Sequence, residues 1–257
     1  TVDTQAPSIG TAGANATISC PATPTFTPPT ASDACSGVTV QQVSDITTAG
    51  SCSGTYTETK TWRAVDACGN QSATVSQAVT VRDITPPTIT SCPPDQNFCS
   101  VSGNSYTVTG TFSANDNCTG TVTYSYQITG ATSRSGSGTN ASGTFNLGTS
   151  TITWIATDAC SNTSTCKTTI VVNASPTVTV NSPTYCSNLP APTITATPVP
   201  GPASAYSYAW TVPAGAPNPG NVSSFTASAF PGTYSVIITN TTTGCTGSGS
   251  GTLSLGT

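Results

Sequence analysis

The sequence predicts an all-β chain, a tandem array of three disulfide-bonded β-sandwiches, and three observations carry that prediction. Segments rich in Val, Ile, Thr and Tyr alternate with polar residues and are parted by Gly, Pro, Asn and Ser, and no stretch shows a helical period. A long motif occurs twice, as WRAVDACGNQS from Trp62 to Ser72 and as WIATDACSNTS from Trp154 to Ser164. The segment VDTQAPSI at 2–9 also lines up with RDITPPTI at 82–89, Asp3 falling on Asp83 and Pro7 on Pro87.

The units follow in order. Unit one, 1–82, is built from ATISC, VTVQQVSD, GTYTETKTWRAVD and ATVSQAVTV. Its first three residues read as the end of a preceding repeat, because the matching segment near 83 follows the strand SQAVTV. Unit two, 83–173, has NSYTVTGTFSAND, GTVTYSYQITG, GTSTITWIATD and STCKTTIVVN. Its Gly-rich SGSGTNASGT at 135–144 is expected to be a flexible hairpin tip. With no Lys and no following helix, it is not a phosphate loop. Unit three, 174–257, has PTVTVNSPTYC, APTITATPV, SAYSYAWTV and GTYSVIITNTTTGC. Short strands at regular spacing, in units of about 80 to 90 residues, predict immunoglobulin-like sandwiches. Short linkers containing Pro favour a stiff end-to-end arrangement.

Composition excludes several functions. Charged residues make up only 5%, the net charge is −4, and there is no His and no Met. The wealth of β-branched residues nonetheless predicts a folded chain rather than a disordered one. Five Lys and Arg cannot form a basic stripe, which argues against nucleic acid and anionic membrane surfaces. Without His, a Ser or Cys triad lacks its usual base. The acids outside repeated positions, Asp45, Glu58 and Asp95, are not neighbours in sequence, against a glycosidase pair. No enzyme is expected. No long apolar run marks a membrane span in this segment, which reads as a slice of a mature exported protein.

Eleven Cys without a His and without a Cys-x-x-Cys pair point to disulfides rather than zinc. Disulfides place the chain outside the cell or in a periplasm. On immunoglobulin-like sandwiches, Cys35 after strand B and Cys68 after strand F lie at one end and are expected to pair, as are Cys118 and Cys160 in unit two. Cys20 and Cys52 share the opposite end of unit one and are expected to pair there. Cys92 pairs with Cys166, leaving Cys99 unpaired, or with Cys99, leaving Cys166 free. In unit three Cys186 and Cys245 remain. These cysteines read as structural rather than reactive.

Six of the nine acids sit at repeated positions: linker Asp3 and Asp83, B–C loop Asp33 and Asp116, F–G loop Asp66 and Asp158. The linker and both loops meet at one end of such a sandwich. Three carboxylates and the amide of Asn70 or Asn162 can converge there, with backbone carbonyls completing the oxygen shell that calcium requires. The competing reading is local: an Asp at a loop start bonds its own backbone two residues on, capping a turn. The two are compatible. Unit three has no charged residue and so no such site. Trp62, Trp154 and the alternating Tyr206, Tyr208 and Trp210 read as core; exposed, they would be a platform for sugars.

TWRAVDACGNQSATVSQAVTVRDITPPTI resembles the Ig-like and hyalin-type (HYR) repeats of large secreted surface proteins of the Bacteroidetes phylum. Cys92–Pro93 and NTSTCKTTIVV resemble the hyalin pattern, and YSYAWTV with GTYSVIITNTTTGC resembles PKD-type domains of the same proteins. The resemblance implies arrays in giant adhesins, including gliding-motility adhesins exported by the type IX system, at the bacterial cell surface. It also implies calcium at D-x-x-x-P linkers and D-x-x-G-N loops, positions matched by Asp3, Asp83, Asp66, Asp158, Asn70 and Asn162. Unit two departs from it with Ser161 in place of Gly. The expected function is a rigid stalk segment whose partners are the neighbouring repeats of the same long chain. The alternatives are an adhesive module binding surface glycans or protein, and a filament subunit assembling with other copies through sheet edges or Cys99.

Overall fold

The computed structural model describes residues 3–34, 37–187, 189–227 and 230–256. Unit one contains β1 (Ser8–Ile9), β2 (Ala16–Ser19), β3 (Ala31–Ser32), β4 (Val38–Ala49), β5 (Tyr56–Asp66) and β6 (Val75–Arg82). The order β2-β6-β5-β4 makes one sheet, with β1 and β3 paired opposite it. Alternation along β5 turns Trp62, Ala64 and Asp66 inward, and along β6 Gln77, Val79 and Val81. The apolar core is thin, so polar clamps assist it. Gln77 accepts from the backbone of Thr27 and donates to the carbonyl of Ala14, tying down the opposite layer.

Unit two contains β7 (Thr88–Ser91), β8 (Gln96–Cys99), β9 (Ser105–Tyr106), β10 (Ser113–Asn115) and β11 (Thr123–Gly130). They are followed by β12 (Arg134–Ser137), β13 (Gly143–Thr144), β14 (Gly148–Thr157) and β15 (Thr163–Asn173). The main sheet runs β12-β11-β14-β15-β8, and β7 pairs with β10 in the facing layer. Trp154, fully buried among Phe112, Phe145, Ile128, Ile152 and Ile170, centres the core. Its indole N–H donates to Thr168, whose hydroxyl donates to the carbonyl of Pro93, so the buried polar groups are satisfied. The Gly-rich 135–144 stretch is more ordered than a flexible tip. Ser135 to Ser137 pair along β11, and Arg134 lies over the Phe145 ring at 4.8 Å and donates to the carbonyl of Ala141.

Unit three contains β16 (Thr177–Val180), β17 (Thr184–Tyr185), β18 (Thr193–Val199), β19 (Tyr206–Thr211), β20 (Ser224–Thr226), β21 (Gly232–Asn240) and β22 (Thr246–Leu255). The sheet β16-β18-β20 faces the sheet β17-β22-β21-β19. Tyr206, Tyr208 and Trp210 are all buried on the inner face of β19. The last strand, TGSGSGTLSL, has glycines at 247, 249 and 251, all on one face. A Cβ at these positions would collide with the carbonyl oxygens of Pro176, Val178 and Asn181. The glycines let the first strand of the unit cross the last at backbone distance.

In each unit a short strand runs parallel to the end of the last one: β2 on β6, β8 on β15, β17 on β22. This defines a base, where the last strand ends, and a head, where the loop before that strand lies. The cysteines respect these ends, but their partners differ from expectation. Cys20 and Cys52 lie at the base of unit one and bond not each other but Cys118 and Cys160, at the head of unit two. Cys99, expected to be unpaired, leaves the base of unit two and bonds Cys245 at the head of unit three. Cys92 bonds Cys166 within unit two. Cys186 and Cys245 sit at opposite ends of β22, a ten-residue strand about 33 Å long, and cannot meet. Cys68 and Cys186 carry free thiols among the described residues, and Cys35 lies outside them. The physical reason is that abutting units bring base and head cysteines together: the Cα atoms of the three bonds across junctions are 5.6, 5.2 and 5.5 Å apart.

Candidate metal centres

At the head of unit one, β5 ends on Asp66, whose carboxylate organises the following loop. Its Oδ1 accepts from the backbone N–H of Cys68 at 2.9 Å and of Asn70 at 2.8 Å, and its Oδ2 accepts from the Asn70 amide at 2.8 Å. Gly69 supplies the left-handed residue, φ 89°. Unit two repeats the arrangement. Asp158 Oδ1 accepts from Cys160 at 2.8 Å and Asn162 at 2.9 Å, and Oδ2 from the Asn162 amide at 2.8 Å. Ser161 takes the place of Gly69 with φ 72°, so the departure strains the loop without opening it.

The Asn amides then reach back to the linker. Asn70 donates to the carbonyl of Asp3 at 3.2 Å, and Asn162 to that of Asp83 at 3.4 Å. Both amides therefore enter the site as clamps, with N–H groups facing the carboxylates that they were expected to join as ligands. The linker acids cap their own turns, Asp3 Oδ1 on Gln5 and Asp83 Oδ1 on Thr85. Asp116 Oδ2 caps Cys118 at 3.1 Å.

Turn-capping occupies one oxygen of Asp3, Asp83 and Asp116 and leaves the other available. Carboxylate oxygens of Asp3, Asp33 and Asp66 lie within 4.8 Å of one another, and so do those of Asp83, Asp116 and Asp158. Asp66, Asp83 and Asp158 are buried. Asp3 Oδ2 and Asp116 Oδ1 are buried acceptors with no partner. Burial pushes the Asp83 carboxyl up; the charges of Asp116 and Asp158 add to this, and the N–H of Thr85 opposes it. The Asn70 amide holds the Asp66 carboxyl down against its burial, helped by the N–H groups of Asn70, Cys68 and Gly69. Gathered carboxylates with orphaned oxygens call for a cation or a proton. An all-oxygen donor set fits a hard divalent ion such as calcium rather than zinc. Cys20 and Cys118 adjoin Asp83, but they are bonded to each other and offer no thiolate.

The acids outside the repeated set are engaged elsewhere. Asp45 and Glu58 flank Lys60 at 3.3 and 3.4 Å, and Asp95 accepts from the backbone of Thr169 at 2.6 Å. Sequence reasoning missed Asn117, whose amide donates to the carbonyl of Cys20 across the first junction at 2.7 Å. The signal was present in NDNC, where Asn replaces the Ala of the other three DAC motifs.

No protein-family model matches the chain, and a comparison with curated proteins finds no match. Solved structures do match. Human CDH23 EC21-23 has TM-score 0.42 and 15% identity, covering 97% of this chain and 100% of that one. Drosophila N-cadherin EC1-4 has TM-score 0.38 and 10% identity, covering 98% and 76%. Against the N-terminal four Ig domains of Dscam1 isoform 9.44 the TM-score is 0.30 at 11% identity, covering 77% of this chain and 55% of that one, so the chain spans about half of that length. The strand orders themselves make the chain an all-β tandem of immunoglobulin-like sandwiches.

Proposed function

We propose that the chain is a length of stiff extracellular stalk, built from sandwiches locked end to end and holding calcium at the two three-carboxylate heads. The single observation that supports this most is the set of disulfides across both junctions, Cys20–Cys118 and Cys52–Cys160 at the first and Cys99–Cys245 at the second. A peptide linker alone leaves neighbouring domains free to pivot. A second and third tie at the first junction remove that freedom. Disulfides of this number also suit an oxidising exterior.

The large aromatics favour a spacer over an adhesive face. Trp62, Trp154, Trp210, Tyr206 and Tyr208 are buried and present no platform to a sugar. Lateral assembly through Cys99 has no thiol to use, because Cys99 is bonded within the chain. The finer reading, a repeat segment of a giant bacterial surface adhesin, rests on the motifs WRAVDACGN and WIATDACSN and their linkers.

Small-angle scattering in calcium, in chelator, and in chelator with reductant tests the proposal. An elongated particle is expected in the first two, well above the roughly 18 Å radius of gyration of a single 257-residue globule, with bending once the bonds are reduced. A compact particle in all three would sink the stalk. Calcium is tested separately by calorimetric titration: two sites are expected, both lost when Asp66 and Asp158 are replaced by Asn. An absence of heat with the native chain would remove the metal and leave the spacer.

A further inference from the structure

The two cysteines that remain free among the described residues, Cys68 and Cys186, occupy positions whose counterparts elsewhere in the chain bond a neighbouring unit. The base cysteine directly ends or follows the short strand that runs parallel to the last one. It is Cys20 after β2, where Ser19 pairs with Arg82; Cys99 ending β8, where it pairs with Asn173; and Cys186 after β17, where Tyr185 pairs with Leu255. Cys20 and Cys99 each bond the head of the next unit. Cys186 does not, and its thiol is free and half-buried. The head cysteine lies in the loop before the last strand: Cys68 before β6, Cys160 before β15, Cys245 before β22. Cys160 and Cys245 each bond the base of the unit before. Cys68 is free and exposed.

We infer that Cys68 and Cys186 are junction cysteines, each bonded in the assembled protein to a further sandwich of this same kind: Cys68 to a base cysteine, Cys186 to a head cysteine. Two independent features of the head of unit one match the head that is already docked. Its Asp3–Asp33–Asp66 cluster repeats Asp83–Asp116–Asp158, and the Asn70 amide holds the linker as the Asn162 amide does. The loop that carries Cys160 at a docked junction is therefore repeated around Cys68, whose thiol is free.

The chemistry is thiol–disulfide exchange with an oxidant of the disulfide class, such as an oxidised dithiol protein of the secretory compartment or glutathione disulfide. The Cys186 thiolate attacks the oxidant's disulfide, forming a mixed disulfide and releasing one thiolate. The partner cysteine's thiolate then attacks the Cys186 sulfur and releases the second. Two thiols lose two protons and two electrons, and the oxidant's disulfide becomes two thiols. The same balance holds at Cys68.

The inference rests on the stalk reading for the succession of units, and its test separates the two. The protein is isolated from its producing cells in alkylating buffer without reductant, digested, and mapped by mass spectrometry. Cys68 and Cys186 are expected to be missing from the alkylated peptides. Each is expected in a cross-linked peptide, with a base cysteine of another unit for Cys68 and a head cysteine of another unit for Cys186. Recovery of either as an alkylated thiol overturns the inference, as does a peptide joining Cys68 to Cys35. Any of these results leaves an elongated scattering particle, and hence the stalk, untouched.

Discussion

Asp83 and Asp66 occupy corresponding unit heads in different roles, and their proton affinities move in opposite directions. Asp83 is raised by burial, so between its unfolded and folded values the native state holds a proton that the unfolded chain has lost. Its contribution is favourable at low pH and disappears as pH rises through the folded value, leaving a buried charge at neutrality. Asp66 is lowered, chiefly by the Asn70 amide; its contribution is present above the unfolded carboxylate value and lost as pH falls through the folded one. Asp83→Asn is therefore expected to raise the unfolding midpoint in chelator at pH 7 and to abolish the extra stabilisation that calcium gives at the second head. Thermal melts with and without calcium check both, and a variant that keeps the calcium response would exclude Asp83 as a ligand. Ser161, at φ 72° where unit one has Gly69, carries strain of about 1 to 2 kcal/mol for a left-handed L-residue. Ser161→Gly is expected to recover about 1 kcal/mol in denaturant titration, with no change in the loop's hydrogen bonds. The six repeated acids were legible because chemistry repeated at fixed positions. The role of Asn70 was not, since the sequence does not reveal which end of an amide faces a carboxylate.

Strands were legible wherever β-branched residues alternated with polar ones, as in GTYTETKTWRAVD and STCKTTIVVN, because that pattern is the pleat itself. β22 lacked the signal. Half of its first six residues are glycines, which lower strand propensity and look like a linker when read locally. The reason for them is non-local: the carbonyls of Pro176, Val178 and Asn181 on and beside β16 fill the space that side chains at 247, 249 and 251 would take. Gly249→Ala is thus expected to force the two strands apart and cost about 1 to 3 kcal/mol, as overpacking does. Chemical denaturation followed by the fluorescence of Trp210, buried in the same unit, measures it. An unchanged midpoint would mean that the layers are not held at backbone contact. β12 escaped detection for a related reason: its Ser and Gly residues pair at the sheet edge, where Arg134 packs over Phe145 and the Tyr126 ring lies against Gly136.

At the scale of the whole chain, the cysteines show where local reading ends. Their positions at heads and bases followed from strand order, but assigning partners within each unit assumed that a unit's end faces solvent. At the two junctions it faces another unit. The three bonds across junctions span 98, 108 and 146 residues, and in the unfolded chain each closes a loop worth about 4 to 5 kcal/mol by the chain-entropy model. The benefit is uneven, because the cores are uneven. Unit two is centred on Trp154 with three buried Ile and two buried Phe, while unit one buries Trp62, Ala64, Val79, Val81 and little else. A small cluster at the first junction, Cys20, Val81 and Cys118 with Ile18 and Tyr56 against it, shows part of unit one's apolar burial shared with its neighbour. Unit one should therefore depend on the junction, and unit two should not. Replacing Cys20, Cys52, Cys118 and Cys160 by Ser leaves Cys92–Cys166 and Cys99–Cys245 in place and tests this directly. The native chain is expected to melt with units one and two in a single calorimetric transition. The variant should show unit one melting separately and earlier, with the transition of unit two nearly unmoved. If the variant still melts as one, noncovalent contacts couple the units and the bonds serve only to keep them aligned. If both units fall together, unit two also draws its stability from the junction, and its larger core is not enough by itself.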